Sequence, residues 1–405
     1  VSAQRALPSL RISSYTASSC LGRGRSATLE ALEGARGGLK RCDFPHAAID
    51  TYIGEVRGLE EVRLPEALSS YDCRNNRLAE LALSQDGFES AVQSAARRYG
   101  AQRIGVLIGT STSGILQTEL AYRHRDPLTG ALPAAFNYDH SHNSFSVTDY
   151  VRRRLELQGP ATSICTACSS SAKVFAAAQR LIAAELIEAA VVGGVDSLCL
   201  TTLHGFHSLQ LTARGPCRPF DRARDGLSLA EAGAFALLER AADRPDAAEV
   251  LLLGTGESSD AYHMSSPHPE GAGALSAMRA ALAATGLDAT DIDYINLHGT
   301  GTPSNDSAEA HAVRGLFGGA TACSSTKGAT GHALGAAGAL EAVICALALE
   351  HGLIPGGLNV REPDTQLGIH YLTTNRRTPL RRVLSNSFGF GGANCALLLG
   401  RAAHA

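Results

Sequence analysis

The chain has no tryptophan, no long uncharged apolar run, no surplus of charge of either sign and no regular cysteine framework, and most of these absences remove a class of function. A net charge of −3 gives no electrostatic reason to expect nucleic acid or an anionic membrane as partner. The longest apolar stretch, 174–195, is broken by Arg180, Glu185 and Glu188, which argues against a membrane span. The opening residues VSAQRALPSL have no apolar h-region, so a signal peptide is not expected. The ten cysteines fall at irregular intervals in a chain too large to need disulfide staples, so they are expected to be reduced thiols of a cytoplasmic protein. The segments GTGES and GTSTSG fit neither the Walker nor the dinucleotide pattern, so nucleotide binding is not favoured.

What is present is an α/β chain. Its 405 residues suffice for one large or two medium domains, and 42 glycines point to tight turns and close helix packing. RIGVLIG (103–109) reads as a buried strand, 168–186 has helical spacing, and EAAVVGG (188–194) is again a buried strand. This β-α-β order predicts parallel strands with a crossover helix. Strands are also expected at 249–258 and in the closing SFGFGGANCALLLG (387–400), with a helix over 273–286 and a strand running into a loop over 291–302. The polar, proline-containing stretch 239–247 divides the chain into halves at 1–246 and 247–405. Both halves alternate α and β, as in an internally duplicated fold, although no residue-level repeat is visible.

Four segments combine reactive side chains with glycine-rich backbone: TACSSS (166–171), HGTGTPSND (298–306), KGATGHALGAAGALE (327–341) and NSFGFGGAN (386–394). Cys168 is placed at the mouth of a helix, where the macrodipole favours thiolate and lowers the pKa. Small neighbours leave room for an acyl group. A cysteine taken singly is most often an inert core thiol. A redox or metal pair with Cys165 lacks the further ligands that zinc would need. His298 sits where the strand YINL meets a glycine turn, a position that aims a side chain into a cleft at a sheet's carboxyl edge. His332 lies among glycines and alanines. Either histidine alone reads as structural. Together with Cys168 they match a nucleophile with donors for developing negative charge. Lys327 and Glu341 are either solvated helix charges or the electrostatics that orient His332. The GFGGAN loop is either a plain turn or the source of an oxyanion N–H.

In this order and spacing the four segments resemble the beta-ketoacyl-ACP synthases. The resemblance covers nearly the whole chain, including 22–39, CRPFDRARDGLSLAEAGAFALLE (217–239), SDAYHMSSPHPEG (259–271) and 292–309. It implies the thiolase fold, a five-layered αβαβα arrangement of two similar halves. It puts the nucleophile on Cys168, the active-site histidines on His298 and His332, and the accompanying lysine and glutamate on Lys327 and Glu341. Thr300 and Thr302 match pantetheine contacts, Phe388 joins the substrate-binding set, and Phe390 matches a gate whose N–H completes an oxyanion hole with that of Cys168. Two departures, LRISSYTASSCLG (10–22) and EAGA (231–234), lie outside the reacting centre.

The resemblance implies decarboxylating condensation of an acyl group on Cys168 with malonyl-ACP to give 3-oxoacyl-ACP, in fatty acid or polyketide synthesis. No metal or other cofactor is required, the substrates being carried on the phosphopantetheine of acyl carrier protein. Two other readings stand beside it. One is a non-catalytic, chain-length-determining subunit; the other is a thiolase, for which Cys395 would be the second thiol. The expected assembly is a homodimer or a heterodimer with a related subunit. Acyl carrier protein is acidic, so Arg74, Arg77, Arg123 and Arg125 are candidate docking residues.

Overall fold

A computed structural model describes residues 7–402. Eleven strands form one path: β1 (Leu10–Ser19), β2 (Ile104–Gly109), β3 (Ala161–Ile164), β4 (Ala189–Asp196), β5 (Ala232–Arg240), β6 (Val250–Ser259), β7 (Tyr294–Asn296), β8 (Ala322–Ser324), β9 (His370–Tyr371), β10 (Arg382–Phe388) and β11 (Ala393–Arg401). Their spatial order is β9-β8-β7-β10-β11-β6-β1-β5-β4-β2-β3. The duplication invisible in the residues is plain in this order. β2 runs parallel to both β3 and β4, β4 is antiparallel to β5, and β5 to β1. The second half repeats the scheme: β7 is parallel to β8 and β10, β10 is antiparallel to β11, and β11 to β6. Within the sheet the halves pair, among the described residues, at Leu10 with Leu252 and Arg11 with Leu251.

β4 (AAVVGGVD) is buried along its whole length, as a strand covered on both faces must be. The covering layers are helical, and the innermost pair is α1 (Ser170–Ala183) and α4 (Ala337–His351). In α4 every residue from Ala337 to Leu349 is buried, so it has no solvent face and is not amphipathic, with Glu341 the one charged residue in that stretch. It packs on β4 and β5 of the first half and on β10 and β11 of the second. This makes it a central layer, although the helical stretch Leu334–His351 that contains it is long and apolar enough to cross a membrane. At Gly338 an added Cβ would fall 2.7 Å from the backbone nitrogen of Ala172, so glycine alone lets α4 meet α1 this closely. Truncating a leucine in this layer, such as Leu340, costs about 2–5 kcal/mol.

The expected strands and helices are present with shifted ends. The helix expected from residue 168 begins at Ser170, and β3 and β4 are parallel but separated by β2. α2 (Ala272–Thr285) follows β6, and α3 (Pro303–Phe317) follows β7.

Candidate active site

Between β3 and α1 the chain makes a tight turn. Ala167 takes the left-handed conformation (φ 52°), which is strained for any side chain and least so for a small one. The turn is tied down locally: Ser170 Oγ donates to the Ala167 carbonyl at 2.6 Å, and the Thr166 N–H donates to Ser170 Oγ at 2.9 Å. Cys168 follows, 5 % exposed. Helix α1 starts two residues later with Ser169 as its cap, so the thiol lies just before the helix. The expectation of a lowered pKa is therefore corrected. Burial pushes the thiol up to about 11, against the Lys327 charge and the Phe390 N–H, which both favour thiolate. At rest Cys168 is a neutral thiol.

His298 and His332 reach it from the second half. His298 lies in the loop joining β7 to α3, and its backbone N–H and that of Gly299 each donate to Glu309 at 2.8 Å. Glu309 is held in turn by Asn386 Nδ2 at 3.0 Å. His332 follows the helical turn Lys327–Thr330, and its backbone is fixed to Ser228 and Ala230 by bonds of 2.8 and 3.0 Å. Its Nε2 stands 3.1 Å from Cys168 Sγ. The two imidazoles meet edge to face, centroids 5.3 Å apart at 84°. Burial first, and then the Lys327 ammonium, hold both well below the usual histidine range, so both are neutral.

Lys327 is fully enclosed. Its Nζ donates to the His298 carbonyl at 2.6 Å, lies 3.4 Å from His298 Nδ1, and pairs with Glu341. Burial raises the Glu341 carboxyl to about 7 even beside this cation. Of the two readings of Lys327 and Glu341, the solvated one is overturned: both side chains are buried behind the histidines, and neither lines the reaction cavity.

That cavity, about 50 Å³, is lined by Cys168, His298, His332, Thr300, Thr302, Phe388 and Phe390, among others. Thr300 and Thr302 hydroxyls share a 2.9 Å hydrogen bond at one wall. The Phe388 ring lies 5.9 Å from that of His298, and Phe390 stacks on Phe206 at 5.5 Å. That volume is too small for a long acyl chain.

The remaining expectations divide. Cys165 is exposed and Cys168 buried, both free thiols, which fits no redox pair. Cys395 is fully buried in the central core and lines no part of the cavity. Cys168, His298 and His332 place ligand-type atoms within 4.8 Å of one another. A metal ion there would face the Lys327 ammonium held against His298, which opposes any added cation. Arg74 is withdrawn as a docking residue: it is 7 % exposed and bound to Glu231, Glu55 and Glu60. Arg77 is engaged by Asp72 and Glu60, whereas Arg123 and Arg125 are exposed with no ion pair among the described residues. Sequence reasoning passed over Glu309, which lies inside the quoted 292–309 segment. Its signal was a carboxylate one turn past Asp306, the acidic residue in the first turn of a helix that starts with proline.

Residues 76–244 match the model described as "Beta-ketoacyl synthase, N-terminal domain", and 250–361 match "Beta-ketoacyl synthase, C-terminal domain". The chain is 36% identical to 3-oxoacyl-[acyl-carrier-protein] synthase 2 of Coxiella burnetii over 74% of its length and 76% of that protein. It is 34% identical to Nodulation protein E of a Rhizobium species over 87% and 88%. With the mitochondrial 3-oxoacyl-[acyl-carrier-protein] synthase of Arabidopsis thaliana the identity is 39%, over 62% of this chain and 58% of that one. Among solved structures, a chain of the ketosynthase (ApeO) complex with its chain length factor (ApeC) from Xenorhabdus doucetiae superposes with a TM-score of 0.88 at 36% identity, covering 99% of this chain and 100% of that one. With the duplicated sheet, the buried central helices and both domain models in register, the chain belongs to the beta-ketoacyl synthase family of condensing enzymes and has its thiolase fold.

Proposed function

We propose that the chain is an acyltransferase, a 3-oxoacyl-[acyl-carrier-protein] synthase whose nucleophile is Cys168. The observation that carries this reading is the Cys168 sulfur, 3.1 Å from His332 Nε2 in an enclosed cavity that His298 also lines. The Cys168 sulfur attacks the acyl thioester carbon, beside His332 Nε2, and its proton ends on the departing pantetheine thiolate. The N–H groups of Cys168 and Phe390 face the oxyanion. Malonyl-ACP then loses carbon dioxide by breaking its bond to the carboxylate carbon. The electron pair left behind is held as an enolate whose oxygen accepts hydrogen bonds from His298 and His332. Neutral imidazoles suit this role, since each carries one N–H to donate. The enolate carbon bonds to the acyl carbon, the Cys168 thioester bond breaks, and the sulfur recovers a proton. Acyl-ACP, malonyl-ACP and one proton become 3-oxoacyl-ACP, free ACP and carbon dioxide. This balance calls for no metal, nucleotide or redox cofactor.

Phe390 acts as gate, leaving its stack on Phe206 as the acyl chain enters, and Thr300 and Thr302 hold the pantetheine arm. Acyl carrier protein docks on exposed arginines, of which Arg123 and Arg125 remain free to pair. A second chain, either a copy or a related subunit as in the ApeO–ApeC complex, covers the open edge of β3, where Thr162 is exposed. The protein works in the cytoplasm, where ACP-linked substrates are soluble.

The test is mass spectrometry of the isolated protein after incubation with acyl-ACP, followed by malonyl-ACP. An acyl adduct on the Cys168 peptide, discharged to a 3-oxoacyl-ACP two carbons longer, is expected. Absence of the adduct would leave only a non-catalytic subunit.

A further inference from the structure

Asp196 ends β4 with no exposed surface, and no cation pairs with it among the described residues. Neutral donors satisfy it instead. Oδ1 accepts from the Thr110 hydroxyl at 2.7 Å, from the Ser111 N–H at 2.8 Å, and from both the N–H and the hydroxyl of Thr112 at 2.8 Å. Oδ2 accepts the Gly335 N–H at 2.6 Å. A buried carboxylate without a counter-ion is costly: burial raises the Asp196 carboxyl above the usual carboxylate range, and this set of hydrogen bonds offsets part of that cost.

The donors belong to two loops that touch the reacting groups. Loop 110–112 follows β2, and its Ser111 hydroxyl donates to the carbonyl of Ala167, the residue before Cys168, at 3.2 Å. Gly335 lies three residues past His332 in the other half of the chain. A Cβ at Gly335 would fall 2.8 Å from Asp196 Oδ2 and 2.7 Å from Ser111 Oγ, so glycine is what permits the approach. Asp196 itself lines no part of the reaction cavity.

We propose that Asp196 is a positioning residue: its carboxylate binds loop 110–112 and Gly335 into one unit and so fixes the His332 imidazole against the Cys168 sulfur. This deepens the condensing role given above and rests on it. The charge has a second effect. The groups that act on the sulfur are the His332 and His298 imidazoles, the Lys327 ammonium, which favours thiolate, and Asp196, which disfavours it.

Asp196→Asn keeps the shape and one acceptor oxygen while removing the charge. The measurements are kcat and KM for malonyl-ACP decarboxylation, and the pH profile of Cys168 alkylation by iodoacetamide. Both use a Cys165→Ser background, because Cys165 is exposed. The expected result is a fall in kcat of about 10–100-fold at unchanged KM, since a displaced group costs on this order, with the alkylation midpoint moved to lower pH. A folded variant with parental kcat, or one whose alkylation midpoint is unmoved, overturns the proposal. Should the asparagine variant not fold, Ser111→Ala decides, because that exposed hydroxyl joins the clamp to Ala167 alone. A fall of about 10-fold in kcat at unchanged KM supports the clamp, and a parental kcat overturns it. A parent enzyme with no decarboxylation would instead remove the condensing reading, while the alkylation profile would still report on Asp196.

Discussion

β3 and β8 occupy equivalent places in the two halves. Each is parallel to the first strand of its parallel set, and each leads through a loop into a central helix, α1 or α4. The first loop is short, 165–169, and delivers a sulfur. The second, 325–336, has room for the Lys327 turn, His332 and the Gly335 anchor. A duplicated fold thus brings two related loops to one place, and their divergence gives one the Cys168 thiol and the other the His332 imidazole and the buried Lys327 cation. The outer edges differ too. β8 is covered by β9, whereas β3 ends the sheet with Thr162 exposed. An unpaired edge is a template for another chain, and β3 offers one in the half that carries Cys168.

The sharpest way to break this division is Cys168→Ala. Loss of condensation by at least about 10⁴-fold is expected, as for other covalent nucleophiles, with no acyl adduct transferred to Cys165. Turnover or adduct at Cys165 in this variant would mean that the short loop does not carry the chemistry. On the other side, His298→Ala and His332→Ala each remove one donor to the enolate, and decarboxylation of malonyl-ACP should fall about 10²–10³-fold. The two should separate in acylation of Cys168, where only His332 adjoins the sulfur. Equal acylation rates for both variants would refute that asymmetry. The third effect is on stability. Lys327→Ala leaves the buried Glu341 carboxyl without its cation, and well above pH 7, where that carboxyl is ionised in the parent, urea unfolding should register a cost of about 3–5 kcal/mol. Adding Glu341→Gln should recover most of that loss, because a neutral amide needs no counter-charge. No recovery would mean that the pair is not coupled.

Much of this site was legible because glycine and reactive residues cluster where strands end. YINL before His298 and the small residues around Cys168 and His332 marked three loops, and all three reach one cavity. Arg74 misled because its sequence neighbours make it look like surface, while its partner Glu231 lies 157 positions away. The thiol pKa misled for a related reason. A helix start can be read locally, but the burial that outweighs its field comes from segments distant in the chain, Phe206 and Leu227 as well as His298, His332 and Phe388. Glu309 and Asp196 escaped notice because a carboxylate whose work is to accept backbone N–H groups has no side-chain signature.

Residue order by itself determined the alternation of strands and helices, which follows from periodicity, and the family, whose four motifs stand in the chain as they are. Only the tertiary structure decided that Cys168 rests protonated, that Lys327 is enclosed with Glu341, and that the two halves repeat one topology. Desolvation and long-range pairing depend on which distant segments meet, and no local pattern encodes that.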